Sequence, residues 1–154
     1  MTDVPASSVK IGHHFAAPRE TVWRAWTDPA VVSLWWGSDP DGVVTSATLD
    51  VRQDGRFEIS FTDSSGDSHT SSGRYLQVVA PSRLDFTWAW RSEPGVSSRV
   101  TVAFEDDDGG TSMRFVHGGL HGASDHDYAE GWRRTFAKLD AVVTPPGVGI
   151  RPAG

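Results

Sequence analysis

The sequence predicts an α+β domain: a curved antiparallel sheet of about seven strands wrapped around a long C-terminal helix, with two short helices after the first strand. Three observations carry that prediction. Seven stretches alternate in polarity or lie between turn residues, as strands do. The run from Phe15 to Gly37 holds four of the seven tryptophans and two prolines placed to open helices. Near the C-terminus, Tyr128, Trp132, Phe136, Leu139 and Val143 recur at spacings of four, four, three and four, which is one apolar helix face.

The first strand is read from Val9, Ile11, His13 and Phe15, which alternate with Lys10, Gly12 and His14. Pro18 is suited to a first helical position and Glu20 to the first turn of that helix. Val22, Trp23 and Trp26 form its apolar side, and it must stop before Pro29. Asp28-Pro29 then serves as cap and first turn of a second short helix, which Gly37 ends. Candidate strands follow at Val43–Val51, Arg56–Thr62, Ser68–Val79, Leu84–Arg91, Ser98–Glu105 and Thr111–His117. The breaks are turn chemistry, among them Gln53-Asp54-Gly55, Ala80-Pro81-Ser82 and Asp106 to Gly110. Such short connections imply antiparallel pairing. The last helix is expected from about Ser124 to Thr144, with Ser124 and Asp127 as a capping box and Pro145-Pro146 as its end. Residues 1–8 and 145–154 read as tails around one domain, 9–144.

Composition removes whole classes of function. With no cysteine, thiol nucleophiles, disulfides and thiolate metal sites are excluded. A net charge of −6 argues against nucleic acid as a partner. No stretch reaches the roughly 20 apolar residues of a membrane span, and no signal segment is readable, so a cytoplasmic protein is expected. His117, His121 and His126 with Asp125 and Asp127 sit across a Gly-rich loop in a spacing that fits no metal geometry. No metal and no cofactor are expected.

Five segments together resemble a known family: F-x-A-P-x-E-x-V-W-x-A-W-T-D-P (Phe15 to Pro29), W-W-G (Trp35 to Gly37), the Gly73 to Trp88 stretch with its Gly-Arg-Tyr start and Phe-Thr-Trp end, V-T-V-x-F-E (Val100 to Glu105), and Gly131-Trp132 with Lys138-Leu139. The chain resembles the activator-of-heat-shock-protein-90-ATPase-like branch of the START-related (SRPBCC) superfamily. The resemblance implies the helix-grip fold, with an apolar cavity between the sheet and the C-terminal helix. It also implies binding of a small hydrophobic or aromatic molecule, lipid-like or polyketide-like. The family often carries histidine where this chain has Tyr128, so a role resting on that histidine does not transfer.

Strand parity and the helix stripe nominate the cavity lining: Trp36, Phe57, Phe86, Trp88, Trp90, Phe115, His117, Tyr128, Trp132 and Phe136. His117 stands in phase with Met113 and Phe115 and so points where apolar side chains point. Two alternatives accompany the binding reading. One is a cyclase or hydrolase using His117 as base and Tyr128 as acid. The other is a protein-interaction, chaperone-associated domain, as a homodimer for example, with Trp35-Trp36 as an exposed anchor.

Overall fold

The computed structural model describes residues 8–37, 39, 41–92, 97–118 and 128–144. In chain order the elements are β1 (Val9–Phe15), α1 (Arg19–Thr27), α2 (Pro29–Val32), β2 (Val43–Leu49), β3 (Arg56–Thr62), β4 (Ser68–Val79), β5 (Arg83–Trp90), β6 (Ser98–Asp107), β7 (Gly110–Gly118) and α3 (Tyr128–Val143). All seven strands join one antiparallel sheet in the order β1-β7-β6-β5-β4-β3-β2. The meander thus runs from β2 to β7, and β1 closes onto β7 with Val9 opposite His117 and Phe15 opposite Thr111.

Local chemistry accounts for the differences from the expected boundaries. Pro18 is the cap of α1 in an extended conformation (φ −62°, ψ 153°), and its carbonyl receives the amides of Thr21 and Val22. Asp28 caps α2 as expected, its carboxylate accepting from the Ala30 amide at 2.9 Å. β2 stops at Leu49: the Asp50 amide still donates to the Arg56 carbonyl at 3.0 Å, but the Asp50 carbonyl accepts from Arg52 in the turn that follows, at 2.9 Å. β6 runs on to Asp107 because only Asp108 (φ 55°) and Gly109 (φ 84°) form the turn, a two-residue type I′ hairpin. The expected Ser124–Asp127 cap and the Pro145-Pro146 stop lie outside the described residues.

One face of the sheet carries the core. Phe57, Ile59, Tyr75, Leu84, Phe86, Val100, Val102, Phe104, Met113 and Phe115 are all buried. They meet Val22, Ala25 and Trp26 of α1, Val32 of α2 and Trp132, Phe136, Leu139 and Val143 of α3. From Trp132 to Val143 the predicted helix stripe is therefore the buried face of α3. On the other face, Asp85 is 3% exposed and is held by Arg99 at 2.7 and 2.5 Å, which keeps its carboxyl below the usual carboxylate range. Among the described residues, no helix is long and apolar enough to cross a membrane.

Candidate functional site

A part-open recess lies beneath the α1–α2 corner, with a void of about 10 Å³, close to one water-sized sphere. Its wall is Trp26 from α1, Val32 from α2, Trp36, Leu49 from β2, Phe57 and Ile59 from β3, Tyr75 from β4, and Leu84 and Phe86 from β5. Alternation along β3 sends Phe57 and Ile59 inward together. On β4, Ser71, Gly73 and Tyr75 share the inward parity, with Gly73 opposite Phe57 and Tyr75 opposite Phe86, and the bulge that resets parity comes only after Tyr75. Burial, and secondarily the Asp50 charge, push the Tyr75 phenol up, so it stays protonated.

The indoles around this corner differ in how their N–H groups are served. Trp35 donates to the Ala25 carbonyl at 2.8 Å and Trp36 to the Ser71 hydroxyl at 3.2 Å. Trp26 is 4% exposed, and its Nε1–H has no acceptor. An unmet buried donor costs about 1–3 kcal/mol.

Beneath α3, where a chamber is expected, aromatic rings of the described residues stand close together. Phe115 stands 4.6 Å from Trp132 and 5.0 Å from Phe136, Trp132 stacks on Phe136 at 5.5 Å, and Trp88 meets Trp132 at 5.2 Å. The recess touches no residue of α3.

His117 lies inside this packing, fully buried. The Trp132 indole N–H can only donate, and it reaches His117 Nδ1 at 2.9 Å. Nδ1 therefore holds a lone pair, and the proton of the neutral ring sits on Nε2. Ser98 Oγ, 2.7 Å from Nε2, accepts that proton's hydrogen bond and passes its own to the Trp88 carbonyl at 3.4 Å. The polarity is opposite to that of a nucleophile–base pair, where imidazole accepts from the hydroxyl. Burial lowers His117 to about 4. Trp88 Nε1 is a second buried donor without an acceptor.

Of the ten residues nominated from sequence, Trp36, Phe57 and Phe86 meet at the recess, and Trp88, Phe115, His117, Trp132 and Phe136 pack beneath α3. Trp90 is half-buried, 5.3 Å from Trp88 and 6.0 Å from Phe61. Tyr128 opens α3, and its side chain lies outside the described part, as do His121, His126, Asp125 and Asp127. Among the described residues, no three metal-ligating side chains converge. The exposed anchor expected at Trp35-Trp36 is corrected, since the two indoles are 0% and 6% exposed. Trp26, Val32, Leu49, Ile59, Tyr75 and Leu84 of the wall stand outside the ten, Ile59 and Leu84 on the same strand faces as Phe57 and Phe86. Trp26 was legible as part of the apolar side of α1, whereas Tyr75 follows Ser71 and Gly73 on its strand face, two residues that carry no hydrophobic signal.

Residues 16–144 match the family model described as Activator of Hsp90 ATPase homolog 1-like protein. Among solved structures, protein Ms6760 from Mycobacterium smegmatis is similar with a TM-score of 0.78 at 24% identity, over 93% of this chain and 96% of that one. A protein from Arthrobacter aurescens gives a TM-score of 0.78 at 21% identity, over 99% and 98%. An AHSA1-like protein from Aeromonas hydrophila gives 0.74 at 24% identity, over 89% and 92%. Likeness at these identities speaks for the fold. No curated protein matches the chain.

Proposed function

The chain belongs to the Activator of Hsp90 ATPase homolog 1-like family, and from that premise we propose that it binds a small hydrophobic or aromatic molecule in the recess beneath the α1–α2 corner. The observation that carries this reading is the wall itself: nine residues, each aromatic or aliphatic, around a part-open space. The void admits one water-sized sphere, so a ring-sized ligand enters by outward movement of α2. That element suits the task, being four residues long and held by a single side-chain cap. Leu34 after it and Val43 at the start of β2 are 65% and 60% exposed, so the segments flanking the door carry apolar side chains outside the core.

A ligand burying roughly 200 Å² of apolar surface gains about 5 kcal/mol, opposed by the loss of its own freedom and the cost of opening. Affinities no tighter than about 0.2 mM follow. The hydrolase reading draws no support from His117, which offers no basic nitrogen to Ser98.

Leu49 tests the proposal because it lines the recess from an edge strand, where a larger side chain is accommodated at low cost. Calorimetric titration with 2-methylnaphthalene should show binding to the wild type and at least a tenfold loss in Leu49→Phe. Equal affinity in both proteins, or none in the wild type, overturns the recess as a binding site.

A further inference from the structure

We infer that the recess selects a neutral ligand bearing one hydrogen-bond acceptor, a ketone, ester or ether oxygen on an apolar body, held by the indole Nε1–H of Trp26. This rests on the reading of the recess as the binding site and specifies what it takes. The inference starts from the unmet donor. Trp26 is more than nine-tenths buried, it lines the void, and its N–H finds no acceptor in the protein. Rings surround it, among them Trp35 at 4.9 Å, Phe136 at 6.1 Å, Phe104 at 6.2 Å and Phe115 at 6.4 Å, none of which offers a lone-pair acceptor. The void is the adjoining space in which an acceptor can be supplied. Of the two indoles that line the recess, Trp36 meets a protein acceptor and Trp26 does not.

The charge of the ligand follows from what the wall lacks. Among the described residues, no lysine, arginine or histidine lines the recess. A carboxylate brought there would shed its hydration for one indole N–H, far less than a buried anion requires. The Asp50 charge, which already acts on the Tyr75 phenol of the wall, adds repulsion. A neutral carbonyl meets neither penalty and satisfies the donor. The apolar body then packs on Phe57, Phe86 and Trp36.

Three probes of one ring size separate the possibilities: 2-methylnaphthalene, 2-acetylnaphthalene and 2-naphthoate. Their affinities for the wild type are measured by calorimetry. The Trp26 indole Nε1–H resonance, assigned through bonds in the wild type, is followed by proton–nitrogen NMR. The acetyl compound should bind roughly three- to tenfold tighter than the methyl compound, and naphthoate weakest. The Trp26 indole proton should move downfield only with the acetyl compound. In Trp26→Phe, which keeps a ring and removes the donor, the two neutral probes should bind alike. Equal binding of the two neutral probes to the wild type, an unmoved Trp26 signal, or naphthoate binding tightest overturns the acceptor inference while leaving the recess reading intact. Failure of all three to bind overturns both. The wild-type comparison needs no variant, so a poorly folding Trp26→Phe does not blunt the test.

Discussion

At the scale of single residues, His117 shows how burial converts a catalytic-looking group into a structural one. Its ring is fully buried, with Nδ1 accepting from Trp132 and Nε2 donating to Ser98. Protonation would require a proton on Nδ1, where the Trp132 N–H already points. Desolvation and that clash act in the same direction, and the folded imidazole takes up its proton only near pH 4. In the unfolded chain it does so near its ordinary value of 6.5. Between those values the unfolded state binds the extra proton, so stability falls as pH falls from about 6.5 to 4 and the loss is complete below that. The loss is about 3 kcal/mol. Asp39, Asp63 and Asp85, whose pKa values are lowered from 3.8, lose their contribution only at still lower pH and do not obscure this window. Urea unfolding at pH 7 and at pH 4 should show the difference in wild type and most of it abolished in His117→Gln. A wild type equally stable at both values contradicts the neutral, doubly bonded ring.

At the scale of elements, the α1–α2 corner is the least secured part of the wall. α1 ends where Pro29 forbids its continuation, and α2 begins on the Asp28 carboxylate, which accepts from Ala30 and also lies 3.4 Å from Arg24. The strands opposite are fixed far more firmly. Gly73, for example, sits so close to β5 that a Cβ there would lie 1.8 Å from the Thr87 carbonyl. Opening of the recess therefore falls to α2. Removing its cap in Asp28→Ala should cost about 1 kcal/mol of stability. The same change should speed amide exchange at Val31 to Trp36 and raise the association rate of 2-acetylnaphthalene, with exchange in β3 to β7 altered only by the global loss. Faster exchange spread evenly over sheet and corner alike would show that α2 is no separate door.

At the scale of the whole molecule, what the sequence revealed and what it hid divide along a physical line. Strands are legible because alternation such as Phe57, Ile59, Phe61 has one explanation, a half-buried sheet, and the stripe through Trp132 and Phe136 has one partner, that sheet's inner face. The position of the vacancy is not legible, since it depends on which rings close on one another. Trp132 stacks on Phe136 beneath α3, where a chamber was expected, while Trp26, unremarkable in the pattern, borders the recess. The His117 tautomer is hidden for the same reason, being set by an indole that arrives from α3. These cross-chain contacts also bind the two halves of the molecule. Rings run without interruption from Tyr75 at the recess through Phe57, Trp36 and Trp88 to Trp132 beneath α3, at centroid separations of 5.2 to 6.4 Å. Lys138 of α3 donates to the Trp36 and Asp39 carbonyls at 3.4 and 3.1 Å, tying the last helix to the segment after α2. β1, from the other end of the chain, completes the sheet on β7. With core and ties shared, neither half keeps its packing when the other melts, and unfolding is one transition. Thermal melts followed in the near-ultraviolet, which reads the tryptophan packing, and in the far-ultraviolet, which reads the backbone, should therefore coincide. A ligand in the recess must then stabilise the entire molecule. At 100 times its dissociation constant 2-acetylnaphthalene adds about 2.7 kcal/mol, so both curves should shift upward together by about 5–10 °C. Separation of the two curves, or a shift in the near-ultraviolet signal alone, would mean that the recess and the α3 side fold as independent units.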